Sequence, residues 1–139
     1  MTNTEVMRRF YDEVNAGNLG IIDELIHDDL IEHDPIAPTP DKEGVRQFFA
    51  MSLAAFPDMR IEVLQTVAEG DLVMAHCLFE GTHEGDFMGI PPTGRRISVP
   101  VVDIVRFRDG RAAEHWGVTD TGVMMQQLGV VPPPVGPPA

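Results

Sequence analysis

Residues 96 to 108 carry the period of a β-strand. Ile97, Val99, Val101, Asp103, Val105 and Phe107 fall on one face, and Arg96, Ser98, Arg106 and Arg108 on the other. A half-buried strand of this length needs partners. Asp109-Gly110 leading into Arg111 to Val118 supplies one through a tight antiparallel turn. On the other side, Gly70-Asp71 joins the alternating run from Met59 to Val67 to the apolar run Leu72 to Glu80. The second half of the chain therefore reads as a meander of four strands, closed by a short helix from Thr121 to Leu128.

The first half has the helical period. Thr2 and Glu5 form a capping box, followed by Val6, Phe10 and Val14 with Met7 and Tyr11 beside them, ending near Gly17. Asn18 opens a short second helix carrying Leu19, Ile21, Ile22, Leu25 and Ile26. Thr39-Pro40-Asp41 opens a third, whose core face is Val45, Phe48, Phe49, Leu53 and Phe56 and which stops at Pro57. Three helices followed by a meander predict an α+β fold: a cone-shaped, curved, mixed but mostly antiparallel sheet packed against three N-terminal helices. Short helices cannot cover the whole concave face of such a sheet, so a pocket is expected. The domain is read as residues 1–129, with a flexible proline-rich tail over 130–139.

Composition narrows the function. The net charge of -12 opposes nucleic acid, whose phosphates demand Lys and Arg, and opposes an anionic membrane surface. No run of about 18 apolar residues is present, and the N-terminal residues do not read as a secretion signal. One cysteine, Cys77, excludes an internal disulfide and fits a reducing, cytoplasmic setting; its apolar surroundings predict an inert buried thiol. The histidines lack metal-ligand spacing, and phosphate loops and dinucleotide fingerprints are missing, so neither metal nor cofactor is expected.

The residue that stands out is Asp103, a carboxyl on an apolar strand face. An unpaired polar group there costs about 1–3 kcal/mol, a cost that persists where a partner or a function offsets it. The structural alternative is an Asp bonded to His or Arg only to fix register. The favoured alternative is a desolvated carboxyl that moves protons near neutral pH. Its cross-strand partner depends on the turn. A two-residue loop at Asp109-Gly110 pairs Asp103 with Trp116, whereas a three-residue loop with a bulge at Gly110 pairs it with His115 and leaves room at Gly117. The second is favoured, because it joins an inward acid to an inward imidazole.

His33, where the chain leaves the second helix, and Asp58, after Phe56-Pro57, are further candidates for acids or polar anchors. His76 is expected to face the helices or a subunit contact, and His27 and His83 to be solvated. The long segment Gly81 to Arg95 reads as a lid over an apolar ligand or a flap on a second subunit, with Phe87 and Met88 as ligand contacts beside Trp116.

The segments GDFMGIPPTGRR, VDIVRFRDGR, AEHWGVTD and QQLG, following an FPD helix end, resemble the SnoaL-like polyketide cyclase family over about residues 5 to 129. The resemblance implies the α+β cone of nuclear transport factor 2 and ketosteroid isomerase, a homodimer formed through the sheet, and cofactor-independent acid–base chemistry on aromatic polyketides. Ring-closing members carry an Asp general acid/base where this chain has Gly117, and His where it has Asp103. Hydroxylase-like members resemble it more closely here, with an acid on this strand and His and Asp nearby, to which His33, Asp58 and Asp103 correspond. The reading is thus an enzyme in which Asp103, oriented by His115, removes or returns a proton α to a carbonyl of an apolar or aromatic substrate, with His33 or Asp58 as the second group. The alternative is a non-catalytic binding or assembly protein of the same fold.

Overall fold

A computed structural model describes residues 1–131. The expected tail at 130–139 therefore lies largely outside the described residues. The element order is α1 (Asn3–Asn15), α2 (Ile21–Leu25), β1 (Ile26–Glu32), α3 (Lys42–Ala55), β2 (Arg60–Glu69), β3 (Leu72–Thr82), β4 (Arg96–Arg108), β5 (Arg111–Thr119) and α4 (Thr121–Leu128). The strands form one sheet in the order β1-β5-β4-β3-β2, in which β1 runs parallel to β5 and every other pair is antiparallel. This is the predicted α+β class, with the helices packed against one face of a mostly antiparallel sheet. None of the described helices is long and apolar enough to cross a membrane.

The capping box forms as read: Thr2 Oγ1 accepts from Glu5 N and Glu5 Oε1 accepts from Thr2 N, each at 3.1 Å. Asp41, not Thr39, caps α3 by accepting from Gly44 N at 3.0 Å. Asn18 does not cap α2, because its amide is drawn back to Glu13 Oε2 at 2.6 Å and Gly20 takes the cap position. The helix stops after five residues. Ile26, extended at φ −118°, starts β1, and Leu30 and Glu32 alternate inward behind it. The stretch read as helix end and connection is thus an edge strand, zipped onto β5 with Glu32 beside His115.

Two side-chain amides dock helices onto strands. Asn15, at the end of α1, donates to Ile61 O at 2.9 Å and accepts from Ile61 N at 2.7 Å. Gln127 in α4 does the same for Ser98, at 2.9 and 2.7 Å. Both strand residues are half-satisfied backbone sites closed by one residue from a helix, which fixes where α1 lies over the sheet.

The helix-facing side of β3 and β4 is Val73, Ala75, Cys77, Phe79, Ile97, Val99, Val105 and Phe107, all buried. The Cys77 thiol is buried as expected, and burial pushes its pKa up to about 11, so the neutral thiol dominates. Phe56, fully buried, packs edge-on against Phe79 and Phe87 and lies over His83. It therefore binds the end of α3 to both the sheet and the β3–β4 loop. Phe56→Ala should cost about 3–5 kcal/mol, measured by urea unfolding, and should raise hydrogen exchange in residues 83–95 before the sheet.

Candidate active site

Asp103 faces the helices, as the alternation of β4 requires, but its cross-strand partner is neither of the two considered. Asp109 (φ 53°) and Gly110 (φ 73°) make a two-residue loop, so Arg108 pairs with Arg111. An extra residue, Ala113, then shifts the register between Arg106 and Phe107. Asp103 ends opposite Gly117, and His115 opposite Val105. The expected direct pairing of Asp103 with His115 is corrected to a diagonal one on the same face. Gly117 leaves the space the diagonal needs, since a Cβ there would sit 3.1 Å from His115 Cε1.

Four elements meet at this point. Asp103 Oδ1 lies 2.8 Å from His115 Nε2, and Asp103 Oδ2 accepts from the Tyr11 hydroxyl of α1 at 2.7 Å. On the far side of the ring, His115 Nδ1 lies 2.6 and 2.8 Å from the two oxygens of Glu32 in β1. The Glu32 side chain is only 2% exposed, and its Oε1 also accepts from Asp34 N at 2.9 Å. Both ring nitrogens face carboxylates, so only the doubly protonated imidazole donates to both. Burial alone would lower the His115 pKa, but hydrogen bonds and charge from Asp103 and Glu32 outweigh it and raise it from 6.5 to about 10. Burial, and then the charge of Asp103, push Tyr11 well above its ordinary value and keep it a neutral donor.

These groups line a cavity of about 130 Å³ between the sheet and the helices. Phe10, Phe49, Phe79, Phe107 and Val101 are among its apolar walls. Tyr11, Glu32, Asp34, Asp103 and His115 are the ionisable groups along it. Phe87 enters from the β3–β4 loop, 3% exposed, and lines the cavity. The loop is pinned at its base by Glu84 N and Gly85 N donating to Ala55 O, and by His83 N donating to Arg95 O at 2.8 Å.

Other expected site residues lie elsewhere. His33 follows Glu32 and so points to the opposite face, where it stacks on Trp116 at 4.9 Å and bonds Glu114 at 2.7 Å. Trp116 sits opposite the outward Ile104 and away from the cavity. Met88, at φ 51° in the loop tip, is 55% exposed. Asp58 is spent on Thr82, accepting from its N at 2.7 Å and its Oγ1 at 2.8 Å, bonds that lower its pKa. His83, expected to be solvated, is fully buried, with Nδ1 accepting from Thr93 N at 3.2 Å. His76 faces away from the helices, toward Gln65. Conversely, Tyr11 was legible only as a core residue, and Glu32 and Asp34 carried no signal while β1 was read as helix and connection.

The SnoaL-like polyketide cyclase family profile matches residues 5–128. The chain belongs to that family. It is 27% identical over 132 residues to aklanonic acid methyl ester cyclase DnrD of Streptomyces peucetius, covering 92% of this chain and 91% of the relative. Among solved structures, it is 36% identical to IdmH, a candidate polyketide cyclase from Streptomyces antibioticus (TM-score 0.83; 93% and 99% of the two chains). It is 29% identical to AclR, a candidate hydroxylase from Streptomyces galilaeus (TM-score 0.84; 94% and 97%).

The raised His115 pKa has a stability consequence with a definite sign. The contribution is complete below the ordinary value of 6.5 and is lost as pH rises through about 10. His115→Gln should abolish that alkaline decline. At neutral pH it should also cost about 3–5 kcal/mol by leaving the carboxylates without a cation, both effects read from urea unfolding at a series of pH values.

Proposed function

We propose that the protein is a cofactor-independent acid–base enzyme acting on a polyketide-like or other apolar carbonyl compound. In this reading Asp103, oriented by His115, takes the proton α to the carbonyl, and the enol or enolate so formed goes on to ring closure, isomerisation or hydroxylase-like tailoring. The observation that carries the proposal is the row of ionisable groups, Tyr11–Asp103–His115–Glu32, set into the wall of an otherwise apolar cavity. An apolar enclosure shaped for a small molecule gives substrate affinity through area removed from water. A fixed carboxylate and a fixed cation at one wall supply a proton acceptor and stabilise developing negative charge without reorganisation.

The family supports a polyketide, and the name of DnrD supports a methyl ester of that class. Gly117 and Asp103 favour hydroxylase-like tailoring as the second reading, in keeping with the likeness to AclR. Aklanonic acid methyl ester is the first compound to try. Wild-type protein should consume it, and Asp103→Asn, which keeps the shape and removes the proton acceptor, should slow turnover by about 10²-fold or more. Unchanged turnover in that variant would end the catalytic claim, and ligand binding without turnover in the wild type would favour the binding-protein alternative.

We also propose a homodimer through the outer face of the sheet. Val67, Met74, Ile104 and Trp116 stand side by side across β2, β3, β4 and β5, and Val118 beside them is 67% exposed. A continuous apolar row of this kind on a sheet is a common subunit contact. Light scattering should give twice the chain mass for the wild type and the chain mass for Met74→Glu combined with Val118→Lys. A monomeric wild type would remove the dimer.

A further inference from the structure

With His33 and Asp58 outside the cavity, the acid–base pair lacks its second member, and we infer that Asp34 supplies it as the acid that protonates the substrate's carbonyl oxygen. This assignment rests on the acid–base reading above and adds the residue that completes it.

Among the described residues, each oxygen of Glu32 and Asp103 already accepts at least one bond from Tyr11, His115 or Asp34 N. Asp34 differs. Its Oδ1 accepts from Ile36 N at 3.0 Å in a tight turn, while Oδ2 has no partner among the described residues. Asp34 is half-buried and lines the cavity, so that oxygen is free to meet a ligand.

Gly117 explains how Asp34 reaches this place. A Cβ at residue 117 would overlap Asp34 Oδ2 and come within 3.1 Å of Asp34 Cγ. The carboxyl thus occupies the volume of the side chain that β5 lacks. The turn that holds Asp34 is fixed at both ends, by Asp34 N on Glu32 Oε1 and by Ala37 N on Asp34 O at 3.1 Å, so the carboxyl is preorganised.

Charge decides which carboxyl carries a proton. Among the described residues lining the cavity, three carboxyls, Glu32 of β1, Asp103 of β4 and Asp34, share the single cation His115 of β5, and Tyr11 of α1 is neutral. Glu32 and Asp103 take both ring nitrogens. Asp34 has no such contact, and burial first, then the charges of Glu32 and Asp103, raise its pKa against the opposing pull of Ile36 N–H and His115. Two carboxyls with environments this different form a natural acid and base pair.

The step balances without a further reactant. The α-C–H bond breaks and its proton passes to Asp103. The C–H electron pair becomes the C=C bond, the carbonyl π pair moves onto oxygen, and that oxygen takes the proton from Asp34 Oδ2. The products are an enol, a protonated Asp103 and an ionised Asp34, and the reverse sequence restores both groups.

The test is α-proton exchange of 2-tetralone, a bicyclic ketone, in deuterated buffer, followed by NMR from acid to neutral pD with wild type, Asp34→Asn, Asp103→Asn, Gly117→Ala and the Asp34→Asn/Gly117→Ala double variant. Asn keeps the Oδ1 turn to Ile36 N, and thermal melts of each variant confirm the fold. The wild-type rate should fall as pD rises through an Asp34 pKa above the ordinary carboxyl value. Asp34→Asn should lose about 10²-fold together with that descending limb. Gly117→Ala should lose activity by displacing the carboxyl, and should add nothing to Asp34→Asn. Retention of wild-type rate and limb in Asp34→Asn while Asp103→Asn loses exchange overturns Asp34 and leaves the proposed function intact. Additive losses from the Gly117 and Asp34 substitutions likewise overturn it. Absence of wild-type exchange above buffer removes the proposed function, and Asp34 with it.

Discussion

One imidazolium holds this site together. His115 sits between Glu32 and Asp103 with both nitrogens engaged, and the chain of bonds runs on to Tyr11 in α1. The contacts therefore join the edge strand β1, the neighbouring strands β5 and β4, and the first helix, and the Tyr11–Asp103 bond alone spans 92 positions in sequence. Removing any one charge strands the others in a place with little water, which is why such a network tolerates loss so poorly. A network of this kind also fixes a single register for β1 on β5. Sliding that parallel strand by one residue would point Glu32 outward and put His33 against the ring.

The same parity explains what sequence could and could not reveal. Asp103 was legible because β4 is long and regular, so its face follows from counting by two. His115 was correctly read as facing inward, but for a register that does not occur: the bulge at Ala113, not Gly110, restores the parity. Neither Ala112 nor Ala113 has a side chain that marks an extra residue. His33 was misplaced for a different reason. Ile21, Ile22, Leu25 and Ile26 continue a helical apolar pattern, and neither Gly nor Pro marks the switch to extended backbone at Ile26. Once that segment is a strand, Leu30 and Glu32 turn inward and His33 must turn outward, so the eye-catching histidine and the unremarked glutamate exchange roles.

Tyr11 and Phe87 show the limit from the packing side. Both fit an apolar pattern, and both do line the core; only the three-dimensional arrangement of α1, held by Asn15 on Ile61, brings the Tyr11 hydroxyl to Asp103. An aromatic stripe at helical spacing is usually core and nothing more. The hydroxyl matters here because the facing strand carries the one acid in its apolar row.

The site divides into a rigid part and an adjustable part. Asp103 and His115 are on central strands of the sheet, each paired with a residue on the strand to either side, so a shift is expensive. Asp34 and Phe87 belong to connections, β1–α3 and β3–β4, held by short turns such as Ala37 N on Asp34 O and the Phe87–Ile90 pair rather than by strand ladders. Loops tolerate substitution more readily than strands, so a fold of this design can exchange the group that meets the carbonyl oxygen without disturbing the strands that hold the ion chain. The missing side chain at Gly117 is the structural condition for that exchange: a strand residue with a side chain there and a loop acid at position 34 compete for one volume, and only one of them can point into the cavity at a time.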